Sequence, residues 1–134
     1  MNIWNVENIF YQYSDVSRIS KLLFHYELYK KIIKLNGDIV ECGVFKGSSF
    51  IRFLTYTKLF EGKKRKVYGF DVFGKFPSTN RLEDKKFADR HNKNLGSGIS
   101  ERKLNLILKN KNLKNYKLVK GNIVDTVDPF LKKN

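Results

Sequence analysis

Three short segments carry the residue types and spacing that could hold a small ligand. The first is Glu41-Cys42-Gly43-Val44-Phe45-Lys46-Gly47-Ser48-Ser49. Gly43 and Gly47 lack a Cβ, so the backbone there can turn sharply and approach a ligand closely. A helix opening at Ser48 or Ser49 would aim its free N–H groups at a carboxylate or phosphate. The second segment is Phe70-Asp71-Val72-Phe73. A carboxylate at position 71 can accept both hydroxyl protons of a ribose. The third is Gly121-Asn122, where an adenine edge could be read.

These segments need elements to bring them together. Asp38–Cys42, with its β-branched centre, reads as a buried strand, and Lys66–Val72 as a second strand ending in an acid. Tyr116–Lys120 alternates and reads as a third. Helices fall between them. Val16, Ile19, Leu22, Leu23, Tyr26, Tyr29 and Ile33 form one apolar stripe, started by Ser14 or Asp15 and stopped by Gly37. A second helix, capped by Ser48 or Ser49, runs to about Phe60. A third starts at Ser100, with Ile99 and Leu104 as a hydrophobic staple across its cap. Thr126–Leu131 opens a fourth. Residues 61–65 read as a solvated loop, and residues 74–98 as a polar connector long enough to act as a lid. Alternation of this kind predicts an α/β, Rossmann-like parallel sheet with helices on both faces, truncated after about three strands. Ligands of such sheets lie beyond the carboxyl ends of the strands, where the three segments fall. Residues 1–13 read as an N-terminal arm and residues 14–134 as a partial ligand-binding domain.

Composition sets the outer bounds. The chain has 134 residues, 41% of them hydrophobic, with eleven Phe and seven Tyr. That is enough apolar surface for a folded domain and too much for a disordered one. The formal charge is +14, which raises nucleic acid as a partner. The basic residues are dispersed, however, and the densest run is Lys63-Lys64-Arg65-Lys66, so nucleic acid is not favoured. Cys42 is the single cysteine, a small core residue by this reading, and no disulfide within the chain is possible. No apolar run approaches the roughly 20 residues that span a bilayer, and no secretory leader is evident. A cytoplasmic protein with no membrane partner is expected. His25 and His91 have no neighbour at metal-ligand spacing.

The pattern Glu-x-Gly-Val-x-x-Gly-x-Ser, followed by Phe-Asp-x-Phe-x-x-Phe-Pro, is similar to the macrocin O-methyltransferase family. The matching residues are Glu41, Gly43, Val44, Gly47 and Ser49, then Phe70, Asp71, Phe73, Phe76 and Pro77. Gly121-Asn122-Ile123-Val124-Asp125-Thr126 resembles the family's segment after the third strand. The resemblance covers roughly residues 14–130 and implies S-adenosylmethionine as cofactor. It implies that Glu41 and the Gly43–Gly47 backbone, with Val44 and Phe45, face the methionine part, Asp71 the ribose, and Gly121 and Asn122 the adenine, with Ser48, Val72 and Phe73 also against the cofactor. The chain departs from the family at Gly74-Lys75, where Glu-Gly is usual, and at Asn122, where an acid is common. A divalent metal is possible in full-length members, but its ligands belong to later strands, so none is assigned here and the catalytic residues are unknown. The resemblance implies O-methyl transfer to a sugar or small natural product. It also leads to the expectation that this cofactor-binding half is inactive alone, completed by a missing C-terminal half or a second copy.

Other function classes fit less well. A nicotinamide-dependent dehydrogenase needs Gly-x-Gly-x-x-Gly, and Phe45 stands where the second glycine should be. A non-catalytic, basic nucleic-acid-binding α/β protein would need basic and aromatic residues interleaved, and no such motif occurs. A degenerate remnant would expose a sheet edge and an uncovered apolar face.

Overall fold

A computed structural model describes residues 2–61, 65–76 and 81–133. The chain forms two compact units, Met1–Leu35 and Asn36–Asn134. The first holds α1 (Ile3–Tyr13) and α2 (Val16–Ile32). Each begins at a side-chain cap: Asn2 Oδ1 accepts from Trp4 N at 3.1 Å, and Asp15 Oδ1 from Ser17 N at 2.9 Å. These bonds satisfy backbone donors that the first helical turn leaves free. Ile19, Leu22, Tyr26 and Tyr29 form the less exposed face of α2, whereas Val16, Leu23 and Ile33 lie exposed. The helix stops at Ile32, short of Gly37.

The second unit runs β1 (Ile39–Cys42), α3 (Ser48–Tyr56), β2 (Val67–Asp71), α4 (Leu82–Leu95), α5 (Glu101–Asn110), β3 (Tyr116–Lys120) and α6 (Ile123–Lys133). The three strands are parallel in the order β1-β2-β3, with Cys42 opposite Phe70 and Phe70 opposite Val119. This is the α/β parallel sheet that the alternation of elements predicts.

Alternation along β2 assigns its two faces. Val67 and Gly69 look toward α3 and α5, where Val44, Phe50, Leu54, Leu104 and Leu108 form the core. Tyr68 and Phe70 look the other way, onto Phe130 of α6, with ring centroids 4.9 and 5.2 Å apart. Helices therefore pack on both faces of β2. Phe50, Leu54, Val67, Phe70, Leu104 and Leu108 are at most 1% exposed, and each such side chain stabilises the fold by about 1.5–3 kcal/mol. Gly69 explains how α3 packs so closely. A Cβ there would lie 2.7 Å from Phe50 Cε2 and 2.9 Å from Val44 Cγ2. The bare backbone makes room for the Phe50 ring.

Several elements differ from the sequence expectation, each for a physical reason. β1 is not a buried strand: it lies at one edge of the three, Val40 is 47% exposed and Cys42 is exposed. Neither Ser48 nor Ser49 caps α3. Gly47 takes the cap position with φ +81, a left-handed conformation that favours glycine. The helix continues from Tyr56 into a π-helical turn over Thr57–Glu61. The loop expected to be solvated is anchored at both ends. Arg65 is buried, pairs with Glu61 at 3.0 Å and donates to Gly37 O at 2.5 Å. Residues 62–64, including Lys63 and Lys64, lie outside the described residues. The polar stretch 74–98 is not an irregular connector, because it contains the 14-residue helix α4. Pro77 lies outside the described residues. α6 starts at Ile123, three residues before the expected Thr126. Among the described residues, no helix is long and apolar enough to cross a membrane.

Candidate functional site

Asp71 gathers the carboxyl ends of all three strands. Because Cys42 and Phe70 are register partners, the loop leaving β1 passes over the end of β2. There Phe45 N donates to Asp71 Oδ2 at 2.8 Å. The loop leaving β2 folds back, and Phe73 N donates to Oδ1 at 2.7 Å. From the end of β3, Gly121 N donates to the Asp71 carbonyl oxygen at 3.0 Å. Phe45 and Phe73 hold φ of +50° and +53°, a region that costs non-glycine residues energy and persists where the surroundings impose it. The two carboxylate bonds supply that constraint.

A second set of bonds ties the connector after β2 to the same place. Gly98 N donates to Gly74 O and Ile99 N to Phe45 O, both at 2.7 Å. Phe76 N donates to Asn92 Oδ1 at 3.0 Å, fixing that loop to α4. Lys46 Nζ donates to Ser97 O. It does not pair with Glu41.

Glu41 projects from β1 toward the first turn of α3, where Ser49 Oγ donates to its Oε1. Its other oxygen is buried and has no partner among the described residues. Burial pushes the carboxyl up to about 7. The nearby charge of Asp71 adds to the rise, and the Ser49 bond opposes it.

These strand ends and loops enclose a crevice of about 180 Å³. Gly43, Phe45, Asp71, Val72 and Asn122 line it, so five of the residues singled out in the sequence meet on one surface. The other six do not line it. Val44 and Phe73 are buried in the core because their side chains fall on the inward side of their turns. Gly47 is turned toward Leu104, whose Cδ1 would lie 3.0 Å from a Cβ there. Ser48 is exposed on the first turn of α3. Gly121 holds the turn through its bond to Asp71, and Glu41 is bound to Ser49 behind the wall. Asn122 lines the crevice while its Oδ1 accepts from Val124 N at 3.3 Å, leaving the amide NH₂ as a donor.

Gly74, Phe76, His91, Gly98 and Ile123 complete the lining; Gly74, Phe76 and Ile123 fall in or beside the matched motifs, but the sequence assigns none of the five to the site. Their positions follow from α4 and from the bonds between loops, both invisible in local patterning. A signal is present in Phe87, Ala88 and His91, which recur at helical spacing inside the polar stretch.

The chemistry on offer is acceptor-rich. Asp71 is the ionisable acid on the wall, Glu41 stands behind it, and each Asp71 oxygen keeps a lone pair beyond its backbone bond. Such a site suits a ligand with hydroxyl donors and positive charge. No group of three or more His, Cys, Asp or Glu able to hold a metal occurs among the described residues.

Comparison with known proteins bears on family and fold. The family model described as macrocin-O-methyltransferase (TylF) matches residues 22–132. No curated protein matches the sequence. Among solved structures, the O-methyltransferase NovP superposes with a TM-score of 0.70 at 24% identity, covering 81% of this chain and 47% of that one. CalS11, a calicheamicin methyltransferase, superposes with a TM-score of 0.75 at 21% identity, covering 100% of this chain and 56% of that one. Its apo structure, described as a TDP-rhamnose 3'-O-methyltransferase, gives 0.63 at 21% identity, covering 100% of this chain and 54% of that one. The chain thus spans about half the length of these structures, and the likeness shows a common fold. With the family model matched across most of its length, the chain belongs to the macrocin O-methyltransferase family.

Proposed function

We propose that the crevice binds S-adenosylmethionine, and that the chain is the cofactor-binding half of an enzyme that methylates a hydroxyl of a sugar or small natural product. The observation that carries the reading is the convergence of Asp71, Phe45 and Gly43 on one surface at the sheet's carboxyl edge. The free lone pairs of Asp71 suit the two ribose hydroxyls. The amide of Asn122, at the end of β3, suits an adenine edge. The cofactor carries a sulfonium and an ammonium, and the Glu41–Asp71 pair favours cations over the pyrophosphate of a dinucleotide. Family membership supports methyl transfer, and the CalS11 and NovP likenesses support a hydroxyl acceptor by analogy of fold.

When bound, the cofactor supplies a methyl group already attached to its leaving group. The residues of this chain therefore bind and orient it for in-line attack. Turnover by residues 1–134 alone is expected to be negligible, because none of the described wall residues is assigned to activate the hydroxyl.

Calorimetric titration with S-adenosylmethionine or its demethylated product tests the reading. Saturable heat below millimolar ligand, with a matching rise in unfolding temperature, is expected. No heat and no thermal shift at millimolar ligand, in a chain shown to be folded by circular dichroism, would remove it.

A further inference from the structure

α4 brings to the crevice a side chain that the cofactor reading above does not use. His91 lines the wall, and three phenylalanines from three segments surround its ring. Phe45 of the β1 loop, Phe76 of the β2 loop and Phe87 of α4 lie at centroid distances of 5.1, 5.3 and 5.9 Å. The imidazole is thereby held in place by apolar packing. Its Nδ1 is buried and has no hydrogen-bond partner among the described residues. Buried polar atoms are almost always paired, so an orphan in a side chain that lines a crevice points to a partner that arrives with the ligand.

The rest of the wall narrows what that partner is. Asp71 only accepts hydrogen bonds, and the Phe, Val and Ile side chains offer none. Lys46, in the β1 loop, gives one of its three N–H bonds to Ser97 O and does not line the crevice. Asn122 follows β3, which lies across β2 from the β1 loop. His91 is the side-chain donor beside the β1 turn, the end of the crevice where the amino-acid part of the cofactor would lie. That part carries one carboxylate, which needs a donor.

We propose that His91 Nδ1–H donates to the α-carboxylate of the bound cofactor, making His91 a binding residue that selects the amino-acid end. The inference rests on the S-adenosylmethionine reading and goes beyond it.

The test compares S-adenosylmethionine with decarboxylated S-adenosylmethionine, which differs only in lacking that carboxylate. Both are titrated into the chain and its His91→Phe variant, which keeps an aromatic ring in the phenylalanine cluster. Unchanged thermal unfolding confirms that the variant is folded, and His91→Gln serves as a second, donor-bearing variant. The unsubstituted chain is expected to bind S-adenosylmethionine roughly tenfold or more tightly than the decarboxylated form. His91→Phe is expected to lose that preference, falling to the weaker affinity for both, and His91→Gln to keep part of it. A preference of the same size in His91→Phe overturns the proposal, as does equal binding of the two ligands by the unsubstituted chain. Binding of neither ligand by the folded chain overturns the cofactor reading itself.

Discussion

Replacement of Asp71 by alanine is expected to cost about 3–5 kcal/mol of stability, more than the loss of an ordinary surface acid. The carboxylate accepts two backbone N–H bonds, from Phe45 and Phe73. Hydrogen bonds to charged groups contribute about 1.5–3 kcal/mol each. Both donors belong to left-handed phenylalanines, which cost of order 1 kcal/mol or more apiece and are held there by these bonds. Without the carboxylate the two loops lose their common anchor, and the crevice wall formed by Gly43, Phe45 and Val72 loosens. Asp71→Asn separates the contributions, because an amide has one acceptor oxygen and can keep one of the two bonds. Chemical unfolding followed by circular dichroism should rank the chains as unsubstituted, then Asn, then Ala. The unfolding temperature of the alanine variant should fall by roughly 10 °C or more. An alanine variant within about 0.5 kcal/mol of the parent, the range typical of surface substitutions, would show that Asp71 does not organise the strand ends.

Glu41→Gln is expected to act in the opposite direction. The carboxyl is pushed up to about 7 from 4.5, chiefly by burial. Because its folded value lies above its unfolded value, the native state binds more protons between those two pH values. Stability therefore falls as pH rises through that window, and above it the charged, buried carboxylate is destabilising. Raising a pKa by one is worth about 1.4 kcal/mol, so the rise to about 7 corresponds at pH 8 to an effect on the order of 3 kcal/mol. Glutamine keeps an oxygen for Ser49 to donate to and removes the charge that Asp71 repels. Urea unfolding should find Glu41→Gln more stable than the parent at pH 8, with the gap closing toward pH 4.5. A variant equally or less stable at pH 8 would contradict this. The same variant is expected to bind S-adenosylmethionine more weakly, since a negative charge behind the crevice is lost. Glu41 then stands as a residue kept at the expense of stability, as functional acids often are.

The three strands and the helices α2, α3, α5 and α6 are legible in the sequence because their signals are local, whereas α1 and α4 are not. β3 has the expected bounds, and Ser100 caps α5 as its sequence context indicates, accepting from Lys103 N at 3.3 Å. Cys42 departs from the expected core position because an apolar pentapeptide does not reveal whether its strand is central or at an edge. That is decided by pairing with β2 alone among the described strands. The cap of α3 departs because a serine hydroxyl has other uses: Ser49 serves Glu41 and leaves Gly47 to turn the chain. Arg65 reads as one more solvated base, yet it joins Glu61, Gly37 and Asn115 across separations of up to 50 residues. The site is half legible for the same reason. Motif residues at the strand ends can be placed from patterning, whereas His91 and Phe76 reach the crevice through α4 and the loop bonds that hold it.

NMR mapping of the folded chain with S-adenosylhomocysteine tests the central claim most directly. The amide signals of Gly43, Phe45, Val72 and Asn122 are expected to shift together and saturate with one dissociation constant, while those of the distal strand starts at Ile39, Val67 and Tyr116 stay in place. Saturable shifts confined to the strand starts, or spread over the basic surface and abolished by salt, would mean that the carboxyl edge of this sheet is not where the ligand sits.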